Sequence, residues 1–280
     1  METVRCKTCD YSILQFRNGT TEKVFPFLRC LDGSSEMINV SPLHGRSYVV
    51  GRTREGRYII SKGNGLSYSQ YLFINTGEIG DESLGMLLRK DAFRDFNMGI
   101  EIASYGIKTN QMEYVLELSE MLALPSGNII RPVLLQYDVE CPYRICDVAF
   151  MEPSELKKYV SKWGIESKSE YNYLIAAECL IRNLRILHDN GILHNAITVH
   201  NITWSLELVD FELSCSPSIP YDTEEENRHV KDLFSREIIE TYKIVKYIAC
   251  VLKEQFNDFI IDKLFEKYGF DLCNYKLQEL

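Results

Sequence analysis

Lys62 closes a β-prone run, Arg57-Tyr58-Ile59-Ile60-Ser61, and is followed at once by Gly63-Asn64-Gly65. A lysine ending a strand before a glycine-rich turn reaches phosphate oxygens, while the small residues let the backbone come close. Further along, the polar loop His194–Asn201 precedes Asp210-Phe211-Glu212, with eight residues between Asn201 and Asp210. An amide and a carboxylate are hard oxygen donors of the kind Mg²⁺ or Mn²⁺ takes beside phosphate and water. The competing readings are a solvated surface lysine and two loop caps. Taken together, the three residues outline a metal–ATP site.

The elements around them are readable from periodicity. Ser47–Gly51 and Arg57–Ser61 form a hairpin across a charged, glycine-containing turn. Leu84–Ala103 is predicted as a helix, with Leu84, Leu87, Leu88, Phe93, Phe96 and Ile100 on its apolar face. Tyr114–Leu118 and Val133–Val139 are predicted strands, and Tyr143–Phe150 a further strand or a connection. Helices are then expected over Glu155–Lys162, Tyr171–Asp189, Arg236–Phe256 and Asp258–Tyr268. A β-rich half with one helix followed by a helical half is an α+β chain with two lobes. No internal repeat or low-complexity linker interrupts it.

The segment from Leu187-His188-Asp189 through Asn201 to Asp210-Phe211-Glu212 resembles the catalytic loop and Asp-Phe-Gly segment of protein kinases. His194 matches the kinase His, Asn201 the metal-binding Asn, and Asp210-Phe211 the Asp-Phe. Kinases carry a proton-accepting Asp two residues after the His; here that residue is Ala196, and Glu212 replaces the glycine. His194 itself reads as a buried structural histidine.

A narrower resemblance fits those departures: the selenoprotein O family of kinase-like protein adenylyltransferases. That family also lacks an acid two residues after the His and has a short Asn-to-Asp spacing. Gly45-Arg46-Ser47-Tyr48-Val49-Val50-Gly51 looks like its segment over the nucleotide, and Lys62-Gly63-Asn64-Gly65 like its lysine-glycine turn. Leu88-Arg89-Lys90-Asp91-Ala92-Phe93-Arg94-Asp95-Phe96 resembles its following helix, and Gly106-Ile107-Lys108-Thr109 the turn after that. The likeness covers residues 43–215.

The resemblance implies a protein-kinase-like fold: an extension over 1–40, a β-rich lobe over 41–150, and a shortened helical lobe over 151–280. It implies ATP with Mg²⁺ or Mn²⁺, and AMP transfer to a hydroxyl of a protein or peptide. A silent pseudokinase and a kinase-like phosphotransferase are the alternatives. Gly45, Arg46, Lys62, Gly63 and Gly65 would hold the nucleotide, and Asp95 or Glu101 would orient Lys62. Arg144 is either a nucleotide contact or a surface arginine. Asn201 and Asp210 would bind the metal, with Asp210 the central catalytic group. His200 stands where the family has Asp, as a base or as a mark of lost activity.

Composition narrows the partners. With 31 Lys and Arg against 40 Asp and Glu, a net charge of −9 and no dense basic block, the chain has no electrostatic footprint for nucleic acid. No apolar run approaches the ~18 residues of a membrane span, so a cytoplasmic protein is expected. Nine scattered cysteines fit reduced thiols better than a disulfide framework. Cys6 and Cys9 form a lone CxxC, a metal or redox pair or ordinary thiols, with no second CxxC to complete a zinc site. Oligomeric state is left open.

Overall fold

The computed structural model describes residues 3–29, 37–39, 41–42, 46–65, 85–124, 126–163 and 171–272. In chain order its strands are β1 (Thr3–Thr8), β2 (Tyr11–Phe16), β3 (Phe27–Arg29), β4 (Met37–Asn39), β5 (Ser41–Pro42), β6 (Ser47–Arg52) and β7 (Tyr58–Lys62). After helix α1 (Arg89–Ser104) come β8 (Gln111–Leu118), β9 (Leu122–Ala123), β10 (Ile129–Ile130) and β11 (Val133–Val139). A 3₁₀ turn, Ile145–Phe150, leads to α2 (Pro153–Trp163), α3 (Asn172–Asp189), α4 (Glu224–Leu252) and α5 (Asp258–Lys267). The chain is α+β and divides into two compact units, residues 1–100 with 110–142 and residues 101–109 with 143–280.

The first unit is built on a six-stranded sheet in the order β2-β8-β11-β7-β6-β5, with β1 between β3 and β4 in a smaller sheet. Residues 1–40 thus supply the edge strand β2 of the main sheet. The expected hairpin is β6 and β7, closed by Thr53–Gly56; Gly56 takes φ +85° and its amide donates to the Thr53 carbonyl at 3.0 Å. Central β11 is buried along its whole length, the polar Gln136 and Asp138 included. Helix α1, which starts at Arg89 and not at Leu84, buries Ala92, Asp95, Phe96 and Ile102, while Ile100 on it and Leu88 just before it are exposed. This corrects the expected apolar face: the helix is turned so that a carboxylate points inward.

Two buried carboxylates lie side by side on β8 and β11. Glu113 is paired with Arg17, and Asp138 with Arg57. Burial, reinforced by the neighbouring Asp138 charge, raises the Glu113 pKa from its usual 4.5 to about 7 against the opposing pull of Arg17.

The second unit is helical. Successive turns of α3 bury Ala176, Ala177, Leu180, Ile181, Leu184 and Leu187, the stripe expected of a core helix. Glu254 closes its N-terminus by accepting from the amides of Asn172 and Tyr173 at 3.1 and 2.9 Å. Helix α4 starts twelve residues earlier than its periodicity suggested, at a cap where the Thr223 side chain accepts from the Glu226 amide. Residues 224–229 are polar and largely exposed, and the apolar stripe begins with the partly buried Val230, Leu233 and Phe234. The segment Tyr143–Phe150 forms the 3₁₀ turn and not a strand. Among the described residues, no helix is long and apolar enough to cross a membrane.

Candidate functional site

In the first unit, Lys62 is the last residue of β7, paired with Ser47 on β6 and Leu135 on β11. Its Nζ donates to Asp95 Oδ2 at 2.7 Å, and both side chains are almost wholly buried, at 3% and 1% exposure. Of the two acids expected to orient the lysine, Asp95 is the one that meets it. Glu101 belongs to the second unit, where its Oε2 accepts from Ser216 and Ser218 at 2.8 and 2.7 Å.

The turn after Lys62 is fixed by its own chemistry. Gly63 has φ +94°, and a Cβ there would lie 2.7 Å from the Val133 carbonyl oxygen and 2.8 Å from Leu87 Cβ. Only glycine satisfies both the conformation and the space. The Gly63 amide donates to the Arg46 carbonyl at 3.0 Å, and that of Gly65 to the Gly85 carbonyl at 3.3 Å. Asn64 ties the turn inward, accepting from Ser61 Oγ at 2.7 Å and donating to the Phe27 carbonyl at 2.8 Å. Arg46 Nη1 donates to the Met86 carbonyl at 2.8 Å. Gly45 lies outside the described residues.

In the second unit, α3 ends at Asn190-Gly191, and Leu193 bridges Cys215. His194 is fully buried with its ring 5.1 Å from that of Phe211; burial holds its pKa below the usual imidazole range, opposed by the Glu237 and Asp210 charges. Asn195 adopts φ +60°, and its amide donates to Glu237 Oε1 at 2.6 Å. The other Glu237 oxygen meets His188 Nε2 at 2.9 Å, so one buried carboxylate from α4 ties the loop to the end of α3. Neither role was found from sequence. The available signal was a Glu placed beside Ile238 and Ile239 on the buried side of an amphipathic helix.

Asn201 Nδ2 donates to the Ala196 carbonyl at 3.0 Å, which pins the loop and makes Oδ1 the atom that a cation would take. Ile202 and Leu208 then pair antiparallel, and the Val209 amide donates to the Asn201 carbonyl at 3.1 Å. This narrow hairpin sets Asp210 directly after Asn201 in space. Asp210 has φ +70°, a left-handed conformation costly for a non-glycine residue. Carboxylate oxygens of Asp210 and Glu212 lie within 4.8 Å of each other, with buried Phe211 between them in sequence. Glu212, read from sequence only as a substituted glycine, therefore places a second carboxylate beside that of Asp210.

Arg144 is buried and grips the loop from behind, its Nη1 donating to the His200 carbonyl at 3.0 Å. Ile145 and Cys146 extend the grip with amide bonds to Ile202 and Val199. The His200 side chain is exposed. The CxxC pair is buried, and desolvation together with the Glu120 charge drives the Cys9 pKa up to about 12, away from the thiolate that a metal requires.

No family model matches the sequence, and no curated protein matches it. Among solved structures, the chain is similar to the kinase domain of a specific rhoptry antigen of Toxoplasma gondii, at 14% identity and a TM-score of 0.40, covering 79% of this chain and 68% of that one. The protein's own architecture makes the fold protein-kinase-like. Strands β5, β6 and β7 are followed by α1 and then β8 and β11, with the lysine closing the third of these five and paired to the helix. A helix, a polar loop and an Asp-Phe segment follow in the second unit.

Proposed function

We propose that the chain is a Mg²⁺- and ATP-dependent transferase that moves AMP onto a hydroxyl of a protein or peptide. The observation supporting nucleotide binding is the buried Lys62–Asp95 pair. A buried ion pair is costly to desolvate and is weak evidence for stability, so its presence at the end of β7 argues for a phosphate-holding role. Asp210, Glu212 and Asn201 offer only oxygen ligands, a set that fits Mg²⁺ or Mn²⁺. When bound, the cation neutralises phosphate charge.

Each residue then has a task. Asp95 holds the Lys62 ammonium in one direction, toward phosphate oxygens, and Arg46 belongs to the segment that covers the nucleotide. Asp210 and Asn201 anchor the metal from a loop that Arg144 and Glu237 keep rigid. The substrate hydroxyl oxygen bonds to the α-phosphorus as the bond to the β-phosphate oxygen breaks, pyrophosphate leaves, and the hydroxyl proton passes to the exposed His200. Ala196, which cannot accept a proton, is what favours this chemistry over ordinary phosphorylation.

Within the same kinase-like frame, the reading of AMP transfer rests on the resemblance to the selenoprotein O family, carried by the short Asn201–Asp210 spacing. Parallel incubations with α-labelled and γ-labelled ATP test the reading: label on protein from the α position alone is expected, and transfer from the γ position alone overturns it. A silent nucleotide-binding module is the second reading, also favoured by Ala196. It would show a melting shift with Mg-ATP and no transfer of either label.

A further inference from the structure

Strand β2 pairs with β8 on one side, and among the described residues no strand pairs with its other side. Edge strands are ordinarily blunted by lysine, proline or a covering element. This one instead exposes Tyr11, Ile13 and Phe16, at 42%, 47% and 57%. The residues around it read Asp10-Tyr11-Ser12-Ile13-Leu14-Gln15-Phe16-Arg17. Laid antiparallel against itself, the segment sets acid against base at both ends, aromatic against aromatic next, then polar against polar, and aliphatic against aliphatic at the centre.

We propose that β2 is a homodimerisation strand, pairing antiparallel with β2 of a second copy so that two six-stranded sheets become one. The backbone supports this register independently of the side chains. The Ser119 amide donates to the Asp10 carbonyl and the Arg17 amide to the Glu113 carbonyl, so Asp10 and Arg17 direct their backbone groups toward β8. By alternation, Tyr11 and Phe16 direct theirs outward. The self-complementary register places Tyr11 of one copy opposite Phe16 of the other, as a hydrogen-bonded pair requires. The two-fold axis passes between Ile13 and Leu14, so the bulge lies at the centre with Leu14 of each copy opposite Ile13 of the other, and the ladders run on either side.

Charge complementarity fixes the occupant as a second copy. Arg17 uses Nε on the Met112 carbonyl and Nη2 on Glu113, which leaves Nη1 for Asp10 of the other chain. The two contacts are related by symmetry and close the interface at both ends.

Sedimentation velocity on the full chain over a concentration series, with amide exchange read on β2, tests the proposal. A dimer is expected, with Tyr11 and Phe16 amides slowing as it forms. Ile13→Lys, which buries a charge at the axis, and Asp10→Arg, which sets like charges opposite at both ends, should each weaken it at least about tenfold. Unchanged circular dichroism and melting of the monomeric variants separate loss of pairing from misfolding. A chain monomeric throughout the series, or a dimer that both variants leave intact, overturns the proposal. So do β2 amides already protected in the monomer, which would mean that another part of the same chain covers the edge.

Discussion

Lys62 Nζ and Asp95 Oδ2 lie 2.7 Å apart inside the first unit, a cation and an anion withdrawn almost entirely from water. Removing one member takes this partner from the other, and breaking a buried pair costs about 3–5 kcal/mol. Asp95→Ala is therefore expected to destabilise the protein by that order, read as a fall in the urea midpoint. The double variant Lys62→Met with Asp95→Leu should recover most of the loss, because packed apolar groups replace an ion pair at little cost. It should nonetheless fail to show any Mg-ATP melting shift.

Gly63 and Gly56 both hold positive φ but differ in surroundings. A Cβ at Gly56 meets nothing within 4 Å, whereas at Gly63 it would drive into the Val133 carbonyl. Gly56→Ala should cost about 1 kcal/mol from the backbone alone. Gly63→Ala adds an overlap with a central strand and should cost about 1–3 kcal/mol more. Thermal denaturation of the two variants side by side checks the difference.

The raised Glu113 pKa makes stability depend on pH with a defined sign. The folded state holds its proton up to about 7, whereas the usual value for the group is 4.5. The folded protein thus binds more protons across that window, so this contribution is complete below 4.5 and is lost as pH rises through about 7. Glu113→Gln, which keeps shape and hydrogen bonding without the charge, should flatten the dependence. Urea unfolding of both proteins at intervals across the window measures it; parallel curves would exclude Glu113 as the source.

The architecture was largely legible from sequence because its strongest signals are local. Val133–Val139 is rich in β-prone apolar residues broken only by Gln136 and Asp138, and the hairpin is marked by a glycine turn between two β-prone runs. What escaped notice depends on partners distant in the chain. The α1 face was misjudged because Asp95 counts as polar in any periodicity, yet turns inward to meet a lysine 33 residues earlier. Residues 224–229 of α4 are polar on every side, so only the Thr223 cap announces them, and the short stripe of Val230, Leu233 and Phe234 that follows went unread. Of the candidate site, Lys62, Asn201 and Asp210 stood out through their neighbours in sequence. Glu237 did not, since its partners Asn195 and His188 are 42 and 49 residues away.

Glu237 offers a test of how far the loop depends on that anchor. Its two oxygens satisfy a backbone amide and a buried imidazole, and leaving both unpaired should cost about 1–3 kcal/mol for each group. Glu237→Gln keeps one acceptor oxygen and should cost less than Glu237→Ala. If the carboxylate positions the loop, Mg-ATP affinity should fall in both variants even where each remains fully folded. Near-UV circular dichroism establishes folding, and calorimetric titration reads the affinity.

Asp210 carries the last and strictest expectation. It is held in a left-handed conformation that a free chain avoids, and strain of about 1–3 kcal/mol persists only where the surroundings impose it. Its carboxylate lies within 4.8 Å of that of Glu212, so two like charges are kept close, an arrangement a divalent cation would relieve. Asp210→Ala removes a ligand and the repulsion with Glu212 but keeps a Cβ in the left-handed conformation, which alanine tolerates less well than aspartate. Asp210→Gly removes the same groups and relieves the backbone. The glycine variant should therefore be the more stable of the two without metal, and both should lose the Mg²⁺-dependent response to ATP. Glu212→Gln should weaken the response partly, and Asn201→Ala less than Asp210→Ala, because a neutral amide holds a hard cation less tightly than a carboxylate. Melting curves with ATP fixed and Mg²⁺ titrated rank the variants. A full response in Asp210→Ala would place the metal elsewhere and sink the assignment of this loop.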